Sequence, residues 1–329
     1  MRVLLLGGTG HMMGRLLESL LARGDEVMIV SRGERALPAH TRLSWLPAER
    51  RALHAQGPAL AAFAPEAVVD ALCFDAADAR DLASLFPQAR RVVMISSVDV
   101  YGEDLSGRRM DEQSPAAPAT AYARGKREAE VTLFELLGDR AAIVRPSHML
   151  GRGFLTTSLW GRSPYLLHRL RKGLALPAID GGRNLLTPVH SADVADCVLR
   201  CIDAPAAAGE IFNAVGGEVV TQREYYEAAA RSLGVQARLV AIPSAVFARV
   251  HATPSAFNWH LIYSGEKAAA LLGHQPRATL QTMMDETVRH LLIDGRVRDS
   301  AEQPIDDELV AAAEEFEKQL SQILRKKPT

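Results

Sequence analysis

Lysine is scarce in this chain: only six of its 38 basic residues are Lys, so a lysine inside a motif carries more information than an arginine would. Three cysteines are too few for a disulfide framework, which fits a reducing compartment. Aromatic residues make up 5%. No apolar run approaches the roughly 20 residues needed to cross a bilayer, and Val3–Leu6 is too short for a signal-peptide core. Basic and acidic residues nearly cancel (38 against 39), which leaves no electrostatic grip on a phosphate backbone and disfavours nucleic acid as a partner. The absences together predict a soluble, cytoplasmic protein. What remains is ordinary for a globular chain: 48% apolar and 23% charged residues over a length of 329 that suits two lobes.

Short apolar runs at Val3–Leu6, Val27–Val30, Ala67–Leu72, Val92–Ser96 and Ala142–Val144 suit strands buried on both faces of a parallel sheet. Helical patterns lie between them at Met12–Arg23, Ala77–Phe86 and Tyr122–Leu137. Alternation of this kind predicts an α/β fold, a doubly wound parallel sheet of Rossmann type with a smaller, interleaved C-terminal substrate lobe. The expected division assigns 1–150 and roughly 184–204 to the dinucleotide-binding domain. Residues 151–183 and 205–295 form the substrate lobe, and 296–329 a charged tail helix. Ser191 reads as the N-cap of a helix over Ala192–Ile202, and Thr221-Gln-Arg-Glu224 as a capping box.

The stretch Gly7-Gly-Thr-Gly10-His-Met-Met13-Gly14 follows the first strand and opens the first helix, the setting of a dinucleotide fingerprint. Glycine lets the backbone approach a pyrophosphate, and the helix N-terminus offers unpaired N–H groups to the anion. At the tip of the second strand, an acidic residue would take the adenosine ribose of NAD. Ser31 and Arg32 stand there instead and favour NADP. Tyr122 and Lys126 are spaced i, i+4, one turn apart on one helix face, where an ammonium favours the tyrosinate. Ser97 ends the fourth apolar run, at the sheet edge that faces the ligand crevice. Cys197 and Cys201 read as buried thiols, and no spacing collects a metal site.

These pieces, with Val100-Tyr101-Gly102, Val144-Arg145-Pro146, Val189-His190-Ser-Ala-Asp193 and Leu272-Gly273-His-Gln-Pro276, resemble the extended short-chain dehydrogenase/reductase superfamily, in its NAD-dependent epimerase/dehydratase family. The chain looks closest to the atypical branch that includes chloroplast stem-loop RNA-binding proteins. The resemblance implies that Tyr122 is the catalytic acid/base, that Lys126 binds nicotinamide-ribose hydroxyls, and that Ser97 holds the reacting oxygen. It implies that Gly7, Thr9, Gly10, His11 and Met12 hold pyrophosphate, that Ala71 and Leu72 line the cofactor groove, and that Pro146 and His148 pass near the nicotinamide. A homodimer is implied too. Three features depart from the family pattern: Met13 stands at the third glycine; Val98 and Asp99 stand where 4,6-dehydratases carry two acidic residues, so one of that pair is absent; and Leu186 stands where nucleotide-sugar epimerases place a diphosphate-binding Arg. The expected activity is NAD(P)-dependent hydride transfer at a secondary alcohol or ketone of a polar small molecule. The competing reading is a non-catalytic dinucleotide-binding regulator or RNA-binding protein.

Overall fold

The computed structural model describes residues 1–325 except Thr9, Arg35, 104–106, 251–256 and Asn258. The phosphate-binding role expected of Thr9, and any part for Arg35, lie outside the described residues. Seven strands build the central sheet: β1 (Arg2–Leu6), β2 (Glu26–Ser31), β3 (Leu43–Pro47), β4 (Ala67–Asp70), β5 (Arg91–Ile95), β6 (Ala141–Pro146) and β7 (Glu210–Ala214). Their order is β7-β6-β5-β4-β1-β2-β3, every neighbouring pair parallel. The order reverses direction beside β1, and open α/β sheets bind ligands at the carboxyl ends of strands at such a switch.

Strand period two sorts the apolar runs to the two faces. Val3, Leu5, Val69 and Val144 pack against helices α1 (His11–Arg23) and, from the second half of the chain, Ser191–Asp203. Leu4, Leu6, Val68 and Ile143 pack against α2 (Ala76–Leu85) and α3 (Ala121–Leu137). A separate apolar core, with Leu166, Leu170, Tyr225, Tyr226, Met283 and Met284, holds the smaller lobe. Leu186 lies fully buried in that core.

Two strands escape the sequence pattern, and both are sheet edges. β3 alternates and stays partly exposed, while β7 reads Glu-Ile-Phe-Asn-Ala, with polar residues that an edge strand tolerates. The assignment of 205–295 to the substrate lobe is therefore corrected: Glu210–Ala214 completes the central sheet, and the helix Glu266–Leu272 contributes Ala268 and Leu272 to the sheet's core. Ser191 is the first helical residue, and the N-cap position belongs to His190. The Thr221–Glu224 capping box forms as read, and Cys197 and Cys201 are buried in the core.

Polar groups tie α3 to the sheet. The Glu130 carboxylate, fully buried, accepts two hydrogen bonds from Arg145 of β6 at 2.8 and 2.6 Å and one from the Ser96 hydroxyl at 2.6 Å. Arg145 also lies 4.8 Å from the centre of the Tyr101 ring, whose hydroxyl donates to Asn213 of β7. Removing Arg145 leaves the buried carboxylate to Arg127, 3.1 Å away at the edge of the interior, and so leaves most of its charge uncompensated. Arg145→Met is expected to lower the unfolding free energy by about 3–5 kcal/mol, and the double variant with Glu130→Leu to recover part of that loss. Urea unfolding at neutral pH measures both; a loss of under about 1 kcal/mol in the single variant, the range of surface pairs, would contradict the role assigned.

Candidate functional site

The first turn of the chain prepares a cleft at the carboxyl edge of the sheet. Gly7 takes φ +82°, and a Cβ there would stand 2.9 Å from the Leu72 side chain, so only glycine lets the loop leave β1 at this point. Gly10 is the N-cap of α1 in an extended conformation with no side-chain cap, which leaves the first helical N–H groups available to an anion. The cleft, of about 510 Å³, is lined by Gly7, Gly10, His11, Ser31, Arg32 and Leu72, among others. Met12 is instead buried in the core, where only its backbone N–H can serve a phosphate, and Met13 fills the core beside it. Ala71 packs partly buried against the same core and does not line the cleft.

At the adenosine end, the Ser31 hydroxyl is buried and has no hydrogen-bond partner among the described residues, although the residue lines the cleft. A ribose or phosphate oxygen would satisfy it, so the chain fits a dinucleotide here. Arg32 is exposed and pairs with Glu34 at 2.9 Å. Arg50 is committed to the fold: it donates to buried Asp70 at 3.0 Å and to the Asp78 carbonyl at 2.6 Å. Arg42 donates to the Gly24 carbonyl behind α1. Arg51 also lines the cleft.

A second pocket, of about 320 Å³, opens where β5 and β6 end. Ser97, Asp99, Tyr122, Pro146, His148 and Arg162 line it together with Thr157, Trp259 and Tyr263. Ser97 caps the short turn Val98–Tyr101, its hydroxyl oxygen accepting the Asp99 N–H at 3.2 Å. Its hydroxyl also stands within hydrogen-bond reach of the Asp99 carboxylate and the Tyr122 phenol. Tyr122 lies in the first turn of α3, whose N-cap is Thr120, and remains 46% exposed. Burial of its hydroxyl and the Asp99 carboxylate push the phenol up to about 12, with the Ser97 hydroxyl working the other way.

Lys126 sits beneath this pair, 2% exposed, donating to the Cys73 and Ile95 carbonyls at 2.8 Å each. Its ammonium is 4.5 Å from the centre of the Phe74 ring and 5.9 Å from that of Tyr122. Burial lowers its own pKa. The expectation that Lys126 depresses the phenol is corrected here, because desolvation and Asp99 outweigh an ammonium already held by two carbonyls. Three donors less two leaves one N–H, which fits a ribose hydroxyl. Gly125 makes this approach of α3 possible, since a Cβ there would stand 2.5 Å from the Phe74 carbonyl oxygen.

His148 lines the pocket with its Nε2 engaged by Thr157 at 3.2 Å and Tyr225 at 3.4 Å. Burial and then Arg162 push it well below the usual histidine range, so it is neutral. The sequence reading did not find Phe74, Gly125, Glu130, Thr157, Trp259 or Tyr263. Glu130 was legible as the third member of a Tyr122, Lys126, Glu130 series at i, i+4, i+8. The Trp259 indole N–H is buried with no acceptor among the described residues, and the residue lines the pocket.

Comparison with known proteins agrees with this architecture. Residues 72–214 match the NAD dependent epimerase/dehydratase family. The chain is 29% identical to 2'-dehydrokanamycin reductase of Streptomyces kanamyceticus over 74% of its length and 70% of that protein's. It is 27% identical to an epimerase family protein of Bos taurus (85% and 93% covered). Identity is 23% to a 41 kDa chloroplast stem-loop binding protein of Arabidopsis thaliana (94% and 84% covered). Among solved structures, dTDP-glucose 4,6-dehydratase from Bacillus anthracis, in complex with NAD, superposes with a TM-score of 0.73 at 17% identity, covering 89% of this chain and 97% of that one. The match to the NAD dependent epimerase/dehydratase family thus spans the part of the chain that carries Ser97, Tyr122 and Lys126, and the glycine loop of the cleft lies ahead of it in the sequence.

Proposed function

We propose that this protein reduces a ketone, or oxidises the corresponding secondary alcohol, on a small polar molecule, with Ser97 and Tyr122 holding the reacting oxygen. The observation that carries the reading is the meeting of these two hydroxyls in one pocket above the buried Lys126. A nicotinamide dinucleotide, when bound, supplies or accepts the hydride. Gly7, Gly10 and the amides of His11 and Met12 would hold its phosphates, and Ser31, Arg32 and Leu72 its adenosine half. The free N–H of Lys126 would take a ribose hydroxyl.

The chain's own part is to move one proton. With its phenol pushed up to about 12, Tyr122 is protonated at neutral pH and is set to donate to a carbonyl oxygen as that oxygen gains charge. Ser97, fixed by the Asp99 N–H, donates to the same oxygen. A site whose acid is protonated at rest favours reduction. The likeness to a reductase supports the same direction. The RNA-binding alternative draws support only from the likeness to the chloroplast protein.

Tyr122→Phe is expected to lower kcat by at least about 100-fold, in line with the loss of a general acid, while leaving dinucleotide affinity within about twofold. Activity unchanged in steady-state assays would overturn the role of Tyr122. For the reduction, kcat/KM should stay flat through neutral pH and fall only as the phenol deprotonates; removing the carboxylate in Asp99→Asn should move that fall to lower pH. A fall at the same pH would show that Asp99 does not act on Tyr122. NADPH should bind more tightly than NADH by fluorescence titration, with Arg32→Asp reversing the order. Equal affinities in the parent protein would remove the NADP preference.

A further inference from the structure

One carboxylate in the reaction pocket acts on Tyr122 through its charge and has not yet been given a ligand of its own. Asp99 lies two residues beyond Ser97, in the turn that Ser97 caps, and lines the pocket beside Tyr122. It forms no ion pair within 4 Å among the described residues; the Ser97 hydroxyl bonds to the carboxylate, and the charge of Arg162 acts on it from farther away. Arg162 is the one permanently charged cation on the described pocket wall, and its guanidinium donates to the Leu155 and Met149 carbonyls at 2.7 and 2.8 Å. Its plane also lies 5.5 Å from the Phe154 ring centre. His148 is neutral and engaged by Thr157 and Tyr225. The pocket therefore presents a carboxylate next to the reacting-oxygen site, while Arg162, which attracts it at longer range, spends its hydrogen bonds on backbone carbonyls.

Such a carboxylate attracts positive charge. Burial pushes the Asp99 carboxyl above the usual range, and Asp99 in turn raises Tyr122; a cation seated against Asp99 relieves both effects. Among the described residues no cation is in contact with Asp99, which leaves that place to a charge on the ligand. Because Asp99 reaches the Ser97 hydroxyl, a charge held by Asp99 stands within two or three bonds of the oxygen held by Ser97.

We propose that Asp99 is a specificity-determining residue that anchors a protonated amine, so that the pocket selects 1,2- or 1,3-amino alcohols and the matching amino ketones. This rests on the reading of Ser97 and Tyr122 as the pair that holds the reacting oxygen. The volume of about 320 Å³ suits a single substituted ring. Leu186, buried in the core of the smaller lobe, supplies no cation for a diphosphate.

The probes are trans-2-aminocyclohexanol and trans-1,2-cyclohexanediol, which share a ring and differ in the ammonium. Calorimetric titration at pH 7.5 into the wild-type protein, Asp99→Asn and Asp99→Glu reads the preference without requiring turnover. The amine should bind at least about tenfold more tightly than the diol to wild type, keep its advantage in Asp99→Glu and lose it in Asp99→Asn. An amine bound no more tightly than the diol, including no binding of either, overturns the proposal, as does a preference that survives Asp99→Asn. Titration of the same samples with NADPH and NADH separates the two readings. Dinucleotide binding without amine preference sinks this inference alone, whereas absence of dinucleotide binding sinks the proposed function.

Discussion

The site depends on a ladder of polar side chains along one face of α3. Tyr122, Lys126 and Glu130 recur every fourth residue, so the helix presents them in a line, one turn apart. Glu130 grips Arg145 on β6 and Ser96 at the end of β5, and Lys126 grips the carbonyls of Ile95 and Cys73. Helix rotation or sliding would break these bonds in the interior, where unpaired polar groups are costly. Tyr122, the outermost rung, is thereby fixed beside Ser97, although the tyrosine itself is half exposed and makes few contacts of its own.

This arrangement explains how a solvent-facing residue is placed with precision. The costs and gains lie a turn or two deeper, in groups that never touch a ligand. Lys126 serves both levels: two of its donors hold the helix to the sheet, and the third remains for a ligand hydroxyl. The same economy holds at Ser97, whose oxygen caps a turn while its hydroxyl reaches Asp99 and Tyr122. Preorganised donors of this kind need little rearrangement when charge develops on a substrate oxygen.

Much of this was legible in the sequence, for physical reasons. Buried parallel strands demand continuous apolar runs, so five of the seven were read from composition alone, and the glycine loop is written in residues that few other structures require. The edge strands Leu43–Pro47 and Glu210–Ala214 carry no such run, because one side of each faces no neighbour in the sheet. The Ser97, Tyr122 and Lys126 set was visible through spacing and the scarcity of lysine. Its electrostatics were not: the sequence places an ammonium near the phenol, whereas the folded chain turns that ammonium to backbone carbonyls and sets Asp99 against the phenol instead. Pocket walls such as Thr157, Trp259 and Tyr263 come from distant segments joined only by tertiary contacts, and no local pattern marks them.

The central claim is that one dinucleotide spans the glycine-loop cleft and reaches the hydroxyl pair held by the α3 ladder. A crystal structure grown with saturating NADPH tests it most directly. The account predicts a bound dinucleotide running from Ser31, past Gly7 and Gly10, to a nicotinamide ring beside Tyr122 with its ribose on Lys126. A crystal with no dinucleotide in the cleft, or with the nicotinamide directed away from Ser97 and Tyr122, would contradict it.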